Sequence, residues 1–373
     1  MDIPWAVHTL ELEQVRAGCA KVQDRPGYAR TSFKKGRYTM RILFYGTASY
    51  DQESFEKEIA DFPDVKIDYT ETNLTPMTAA LARGYDAVCA FVNADISAMT
   101  LEILKGFGIG LVLMRCAGFD AVNVPMATEL GIKVTRVPAY SPEAIAEHAM
   151  ALGQAANRRI HKGYIRVREN NFALNGLVGE TLYGKTAGIV GTGRIGAALC
   201  RICKGYGMTV LGSDLYPNQA LVDEEHVVDE YVDYDELYRR SDFISLHAFL
   251  NKDSYHLIDD EAIDKMKPGV IFVNTGRGAL VDTQALIRGI ISGKIGAAGL
   301  DVYEEENANV YQNRSGEIVD SVTARLCSFP NVVMTSHQAF FTHEALSQIA
   351  RVTLENAQHY AREEEFIPRS VVC

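Results

Sequence analysis

The chain has 373 residues, of which 47% are hydrophobic and 23% charged, and its formal net charge is −11 at pH 7. This length is sufficient for two domains with large cores. The acidic balance argues against nucleic acid or an anionic membrane as the main partner, because such proteins carry basic patches. No apolar stretch approaches the ~18 residues of a transmembrane helix. The 7 scattered cysteines do not form a secreted disulfide framework, so we expect a cytoplasmic protein.

Residues 1–39 differ from the rest of the chain. They contain the only tryptophan, Trp5, and show no sustained periodicity. We expect either a flexible extension or an upstream, wrongly assigned start, with Met40 as the true first residue. The acidic residues of this segment are unusual for a cleaved transit peptide, but an organelle location is not excluded.

Residues 40–141 alternate short apolar runs with helical stretches, as in a parallel α/β sheet. The predicted strands are 41–45, 65–69, 87–92, 111–115 and 132–135. Pro138 and Pro142 then interrupt the chain, and Ser141 has the character of a helix N-cap. The pattern predicts one long helix from Ser141 to about Val167. We expect the chain to cross into a second domain at the start of this helix.

The stretch 185–214 predicts a strand–turn–helix–strand unit, with strands at 187–190 and 208–211 and a helix ending near Gly205. It contains the pattern G-x-G-x-x-G. These glycines permit a tight turn, approach of the backbone to a pyrophosphate, and packing of the helix on the strand. The residues assigned to cofactor binding in this turn are Gly191, Gly193, Arg194, Ile195 and Gly196.

Asp214 ends the second strand of this unit, at the place where a carboxylate accepts hydrogen bonds from an adenosine ribose. An acid here favours NAD over NADP, because a 2′-phosphate would meet a like charge. Another glycine run, at 106–110, has the wrong spacing and no acid-capped strand after it. The sequence therefore predicts an NAD site around Gly191.

Further strands are predicted after the central unit, at 243–247, 270–274, 297–302 and 332–335. A last helix is predicted at 343–362. Because the second sheet is already covered, we expect this helix to pack on the first domain. The predicted fold is α/β, with two Rossmann-like or flavodoxin-like parallel-sheet domains. A cofactor domain, 142–339, is inserted in a discontinuous substrate domain, 40–141 plus 340–373, with the active site in the cleft.

Cys200 and Cys203 form a C-x-x-C pattern, which can indicate redox chemistry or half of a metal site. They lie inside the helix after the glycine turn, and no second pair completes a tetrahedral site. We therefore interpret them as small residues on a buried helix face. No metal site is predicted.

Three polar residues each follow a predicted strand of the second domain: Arg277, Glu306 and His337. Taken singly, each has an ordinary explanation as a surface arginine, a solvated acid or a core histidine. Ligands bind outside the carboxyl ends of strands in α/β sheets. Three such residues after strands beside a nucleotide site therefore indicate an active site.

The sequence resembles the D-isomer-specific 2-hydroxyacid dehydrogenase family from about Met40 to Ile367, and within it the fermentative NAD-dependent D-lactate dehydrogenases. The resemblance rests on six motifs in the family's order. They are LVLMRCAGFDAVN, VPAYSPEAIAEHA, YGKTAGIVGTGRIG, MKPGVIFVNTGRGALVD, GLDVYEEE and HQAF. Such long motifs are specific for the family and less so for the substrate.

The resemblance implies that Arg277, Glu306 and His337 are the catalytic residues. Protonated His337 is expected to donate a proton to the C2 oxygen of a 2-keto acid while NADH delivers hydride to C2. Glu306 is expected to favour the imidazolium and fix the ring. Arg277 offers a planar fork for the carboxylate and the C2 oxygen, which lysine does not reproduce.

The resemblance also implies substrate and cofactor contacts. Ala117 and Gly118 match backbone amides that hold the substrate carboxylate, Tyr140 a tyrosine that closes on the substrate, and Phe340 an aromatic wall. Each could also have an ordinary turn or core role. The further cofactor contacts implied are His247, Thr275 and Asp301.

The expected activity is reversible hydride transfer between NADH and pyruvate to give D-lactate, by a homodimer acting on a small molecule. A preference for a larger or more polar keto acid, such as phenylpyruvate or hydroxypyruvate, is an alternative. The same fold also occurs in NADH-binding corepressors, which would need nuclear partners. The nearest approach to a basic nuclear signal is Lys34, Lys35 and Arg37.

Overall fold

The computed structural model describes residues 39–306 and 309–373, so the predictions for residues 1–38 lie outside the described residues. Contacts between Cα atoms divide the chain into two units. One contains the described residues up to Tyr140 together with His343–Cys373, and the other is Ser141–Thr342. Each unit is built on one parallel sheet, so the prediction of two parallel-sheet α/β domains is confirmed.

The first unit has a five-stranded sheet in the order β2-β1-β3-β4-β5, with every pairing parallel. This is a flavodoxin-like order. Its strands are β1 (Met40–Phe44), β2 (Val65–Tyr69), β3 (Ala87–Ala90), β4 (Leu111–Met114) and β5 (Lys133–Thr135). All five predicted strands are present, with ends shifted by at most two residues. The two runs β3 and β4 are buried throughout, as expected for a parallel sheet covered on both faces.

Helices α1 (Ser49–Glu58), α2 (Ala98–Gly106) and α3 (Val124–Leu130) connect these strands. The C-terminal helix, His343–Arg362, packs on α1 and on strands β1, β2 and β4, as its place in the sequence predicted. Arg351 on this helix forms ion pairs with Glu58 (3.0 Å) and Asp61 (3.2 Å). Apolar burial supplies the main attraction, because such exposed pairs contribute little.

The second unit has a seven-stranded sheet in the order β12-β11-β10-β9-β6-β7-β8. Its strand order reverses between β6 and β9, which is the Rossmann arrangement and its ligand-binding switch point. The strands are β6 (Thr186–Val190), β7 (Thr209–Ser213), β8 (Glu230–Tyr231), β9 (Phe243–Leu246), β10 (Val270–Asn274), β11 (Ile295–Leu300) and β12 (Val332–Met334). The sequence missed β8, because two residues are too short to show alternation.

The helices of the second unit lie between or before these strands. They are α4 (Pro142–Asn157), α5 (Ile160–Arg168), α6 (Arg194–Gly205), α7 (Ala220–Asp223), α8 (Tyr234–Arg240), α9 (Asp260–Lys265), α10 (Thr283–Ser292) and α11 (Ser321–Ser328). None of the helices in residues 39–306 and 309–373 is long and apolar enough to cross a membrane.

The N-cap prediction at Ser141 is confirmed, since its side chain accepts a hydrogen bond from the Ala144 N–H. The prediction of one helix to Val167 is wrong. The chain leaves helical geometry at Arg159, which has φ 53° and separates α4 from α5. The Arg159 guanidinium donates to the carbonyl of Ala156, at the end of α4, and to that of Gly296 (3.1 Å). These bonds stabilise the break.

Cys200 and Cys203 are both completely buried on α6. Burial raises the pKa of the Cys200 thiol to about 12 and also raises that of Cys203. Such thiols stay protonated and unreactive at neutral pH. The interpretation as buried helix residues is confirmed.

Candidate active site

The glycine turn between β6 and α6 has the geometry of a phosphate-binding loop. Gly191 has φ +86°, and an added Cβ there would lie 2.7 Å from the backbone of His247 and Ala248. A Cβ on Gly196 would overlap the Gly191 carbonyl, whereas a Cβ on Gly193 would meet nothing within 4 Å. Gly191 and Gly196 therefore require glycine for packing. Gly193 leaves open space beside the start of the helix, as a pyrophosphate requires.

Asp214, directly after β7, is bound to the glycine turn. Its Oδ2 accepts hydrogen bonds from the Thr192 N–H (2.7 Å) and the Thr192 hydroxyl (3.2 Å), and its Oδ1 accepts from the Tyr216 N–H (2.9 Å). Two carboxylate oxygens have about four acceptor sites, so capacity remains for about one ribose hydroxyl. Exposed Arg194 and partly exposed Ile195 begin α6, where backbone N–H groups point out of the helix.

His247 and Thr275 follow the neighbouring strands β9 and β10. The His247 backbone N–H donates a hydrogen bond to the Val190 carbonyl (2.7 Å), and the ring Nε2 lies 2.9 Å from the Ser245 hydroxyl. Burial lowers the pKa of His247 to about 4, so the ring is neutral at pH 7. The buried Thr275 hydroxyl has no hydrogen-bond partner within the described structure. A buried polar group without a partner fits a site that a polar ligand completes.

His337 and Glu306 form a pair at the carboxyl end of the seven-stranded sheet. His337 Nδ1 lies 3.0 Å from Glu306 Oε1, and the two side chains are 21% and 15% exposed. The His337 backbone has φ 51°, a conformation uncommon outside glycine. Its N–H donates to the Asp301 carbonyl (2.8 Å), and its carbonyl accepts from the Tyr311 hydroxyl (3.0 Å). Both polar groups of the strained residue are thus held in place.

The Asp301 carboxylate organises the loop that carries His337. It is buried and accepts hydrogen bonds from the backbone N–H groups of Gln338 and Ala339 (both 2.8 Å) and from the Thr335 hydroxyl (2.5 Å). Burial alone would raise the pKa of Asp301, but His148 and these donors outweigh burial and lower it. The carboxylate is therefore ionised at neutral pH and fixes the loop electrostatically.

Arg277 follows β10 and opens a short turn. Its Nη1 donates to the Gly276 carbonyl (3.0 Å), while its own carbonyl accepts from the Asn274 side chain (3.0 Å). A Cβ on the next residue, Gly278, would overlap the backbone of Tyr303 and Glu304. The Arg277 turn therefore packs directly against the segment that leads to Glu306.

Ala117 and Gly118 follow β4 in the first unit and are partly exposed. The Ala117 carbonyl accepts from Arg136 Nη1 (2.9 Å), and the Gly118 carbonyl accepts from the Cys116 thiol (3.1 Å). Because both carbonyls are held, the orientation of the neighbouring peptide groups is fixed.

Tyr140 and Phe340 belong to different units. Tyr140 is the last residue of its stretch in the first unit and is partly exposed. Phe340 is buried in the second unit, three residues after His337, with its ring perpendicular to that of Phe341 at 6.1 Å. Its proximity to His337 in the chain agrees with a position beside the candidate site.

Sequence reasoning missed His148, Thr335 and Tyr311. His148 Nε2 lies 3.1 Å from the Thr335 hydroxyl and 3.6 Å from Asp301. His148 lies within the motif VPAYSPEAIAEHA, but no periodicity connects it with a loop 187 residues away. Across the residues that the structure describes, no group of three or more His, Cys, Asp or Glu side chains could hold a metal ion.

Comparisons with known proteins show the family of this chain. A family model for the NAD binding domain of the D-isomer specific 2-hydroxyacid dehydrogenases matches residues 150–339. The chain is also 45% identical to the D-lactate dehydrogenase of Escherichia coli K12 over 326 residues, which cover 87% of this chain and 98% of that protein. The chain belongs to the D-isomer-specific 2-hydroxyacid dehydrogenases.

Solved structures of the same dehydrogenase family have this fold. The apo-structure of Escherichia coli D-lactate dehydrogenase has a TM-score of 0.81 at 45% identity, covering 90% of this chain and 100% of that one. The pyruvate reductase of Chlamydomonas reinhardtii has a TM-score of 0.82 at 40% identity, with coverage of 88% and 98%. As a member of this family, the protein is an NAD-dependent oxidoreductase of D-2-hydroxy acids.

Proposed function

We propose that this dehydrogenase interconverts pyruvate and D-lactate with NADH and NAD. The observation that carries the proposal is the His337–Glu306 pair, 3.0 Å apart, at the carboxyl end of a sheet with a complete dinucleotide-binding turn. A hydrogen-bonded histidine beside a hydride donor is what reduction of a ketone requires. The names of the similar Escherichia coli and Chlamydomonas reinhardtii proteins support pyruvate as the keto acid.

The cofactor domain is proposed to be residues 142–339. The open start of α6 at Gly193, Arg194 and Ile195 would hold the pyrophosphate, and Asp214 the adenosine ribose. The unpartnered Thr275 hydroxyl, the backbone at His247 and the region of Asp301 would face the nicotinamide half. When bound, the nicotinamide supplies or accepts the hydride.

Proton transfer is assigned to His337. Glu306 engages Nδ1, so Nε2 is the nitrogen that donates a proton to the C2 oxygen during reduction and removes it during oxidation. Arg277 binds the carboxylate and the C2 oxygen through its planar guanidinium. Glu306 fixes the tautomer and the angle of the ring, as a carboxylate does for a catalytic histidine in other enzymes.

The substrate domain is proposed to be residues 40–141 plus 340–373, although contacts between Cα atoms group Ser141 and residues 340–342 with the second unit. The backbone amides at Ala117 and Gly118 would bind the substrate carboxylate, since Arg136 and Cys116 hold the adjoining carbonyls. Tyr140 would close on the substrate, and Phe340 would limit the size of its side chain.

NADH oxidation with pyruvate, phenylpyruvate, hydroxypyruvate and oxaloacetate in parallel tests this function, followed by chiral analysis of the product. Rapid reduction of pyruvate to D-lactate is expected. Preference for one of the larger keto acids would replace the proposed substrate and retain the mechanism. Tight NADH binding without any turnover would favour the corepressor-like alternative.

We propose a homodimer, because residues 160–183 of the second unit expose many large apolar side chains. Helix α5 has no buried residue among its nine. The exposed side chains of this stretch are Ile160, Tyr164, Ile165, Val167, Phe172, Leu174, Val178 and Tyr183. Apolar patches of this kind mark protein interaction sites, and a second copy of the chain supplies a matching apolar surface.

A cytoplasmic location is proposed from the cysteines. Within the described residues, Cys89, Cys200, Cys203, Cys327 and Cys373 are free thiols. Free thiols are typical of a reducing compartment. Fractionation of the source cells, with immunodetection of the chain, tests the location.

A further inference from the structure

His256 connects the two loops that carry Arg277 and Glu306. Its backbone N–H donates to the Ala279 carbonyl (2.9 Å), two residues after Arg277. Its ring Nε2 lies 2.8 Å from Oε1 of Glu304, two residues before Glu306. A single residue thus holds one loop by its backbone and the other by its side chain.

The Glu304 carboxylate has further partners at the same place. The Tyr255 hydroxyl donates to Oε1 (3.2 Å), and the Thr283 hydroxyl is shared between Glu304 Oε2 (3.5 Å) and Glu305 Oε2 (3.4 Å). The Tyr255 ring also stacks on the His256 ring, with centroids 3.9 Å apart and planes 18° apart. The His256 and Glu304 side chains are 29% and 25% exposed, so water competes less for this contact than for a surface ion pair.

The backbone around His256 continues the connection to the Arg277 turn. Ile258 donates to the Leu280 carbonyl (3.0 Å), and Asp282 donates to the Ile258 carbonyl (2.9 Å). These bonds form a short parallel bridge between Ile258 and Val281. A displacement of this segment would therefore move the Arg277 turn.

His256 has a left-handed backbone conformation, with φ 52°. This conformation is costly for most residues and persists only where surrounding contacts require it. Here it allows the N–H of His256 to reach Ala279 while the ring reaches Glu304. The left-handed backbone thus lets one residue hold both loops.

We propose that His256 and Glu304 form a positioning pair that sets the spacing between Arg277 and the Glu306–His337 pair. The inference rests on the proposed function, because the catalytic roles of those three residues belong to it. Neither His256 nor Glu304 is assigned to substrate or cofactor. Both act through the loops that they hold.

Two adjacent acids provide a matched test. Glu304→Ala removes the contact with His256, whereas Glu305→Ala removes the same number of atoms and the same charge one residue later. Misplacement of catalytic groups by about 1 Å costs up to about 100-fold. We expect Glu304→Ala to lower kcat about 10- to 100-fold, with the KM for NADH unchanged, and Glu305→Ala to retain kcat within about 2-fold.

Further variants separate the pair from a general loss of structure. Glu304→Gln is expected to recover most of kcat, because its amide oxygen still accepts from His256. His256→Asn tolerates a left-handed backbone but does not reach Glu304, so it should resemble Glu304→Ala. In a double-mutant cycle, His256→Asn with Glu304→Ala should be no slower than either single variant.

The cycle uses whichever 2-keto acid the unmodified enzyme reduces fastest. Equal kcat in Glu304→Ala and Glu305→Ala, or additive losses in the cycle, would overturn the positioning pair. Failure to reduce pyruvate while another keto acid is reduced would overturn only the proposed substrate. If Glu304→Ala does not fold, His256→Asn decides, because unchanged kcat in a variant that binds NADH normally contradicts the proposal.

Discussion

His337 Nδ1 and Glu306 Oε1 lie 3.0 Å apart although 31 positions separate the two residues in the chain. They meet because each follows a neighbouring strand of the same parallel sheet, β12 and β11. The carboxylate engages Nδ1 and leaves Nε2 for the proposed proton transfer.

Replacement of this histidine tests the proton-transfer step. His337→Gln removes the titratable ring, and we expect kcat to fall at least ~100-fold, the usual contribution of general acid–base catalysis. NADH binding, measured by fluorescence titration, should be retained. Near-full turnover by this variant would contradict the assignment of His337.

Replacement of Arg277 by lysine keeps the charge and removes the planar fork. The expected loss is about 10- to 100-fold in kcat/KM for the keto acid, which corresponds to one or two charge-assisted hydrogen bonds. Steady-state kinetics measure this value. Arg288→Lys is the control, because Arg288 forms an exposed ion pair with Asp260 in α9, and it should retain kcat/KM. Equal effects in the two variants would contradict the role of Arg277.

Asp214 should determine the choice between NADH and NADPH. Asp214→Asn removes the charge that would repel a 2′-phosphate and keeps an acceptor for the Thr192 or Tyr216 N–H groups. We expect the ratio of kcat/KM for NADPH to that for NADH to rise about 10-fold or more, as removal of one close like-charge contact implies. An unchanged ratio would mean that Asp214 does not face the ribose.

The lowered pKa of the partly buried His247 ring predicts a pH dependence of stability. Its pKa is lowered from 6.5 to about 4 in the folded protein, so the unfolded chain binds a proton that the folded one excludes. Stability from this group is therefore present above pH 6.5 and is lost as the pH falls towards 4. Urea unfolding at several pH values should show a weaker acid sensitivity for His247→Gln than for the unmodified protein. Identical slopes would contradict burial of a neutral ring.

The exposed helix α5 provides a test of the dimer. Ile165→Asp places a charge in the apolar stretch, and we expect monomers by light scattering on a sizing column. Ile291→Asp is the matched control, since Ile291 is 61% exposed near the end of α10 and Ile165 is 48% exposed near the end of α5. Dimers of both variants, or monomers of both, would argue against this interface.

The sequence predicted those features that depend on local pattern. The glycine turn, Asp214 and the strands before Arg277, Glu306 and His337 were visible as spacing and periodicity. The family resemblance then supplied candidate roles that the residues alone did not determine.

Features that depend on tertiary contacts were not predictable in this way. The helix break at Arg159 depends on a carbonyl 137 residues away, and the contact of His256 with Glu304 spans 48 residues. Propensity along the chain contains no information on such partners. The left-handed backbone of His337 could not be predicted for the same reason, since hydrogen bonds with Asp301 and Tyr311, in other segments, hold it.

The Asp301 carboxylate has a consequence for the speed of the enzyme. This group binds the segment from Thr335 to Ala339 to the end of β11, so the sheet fixes the conformation of the loop that carries His337. The entropy of ordering that loop is lost once, when the polypeptide folds, and not again with each molecule of substrate. In the proposed mechanism, His337 is therefore preorganised before substrate binds, and little reorganisation energy remains to slow each turnover.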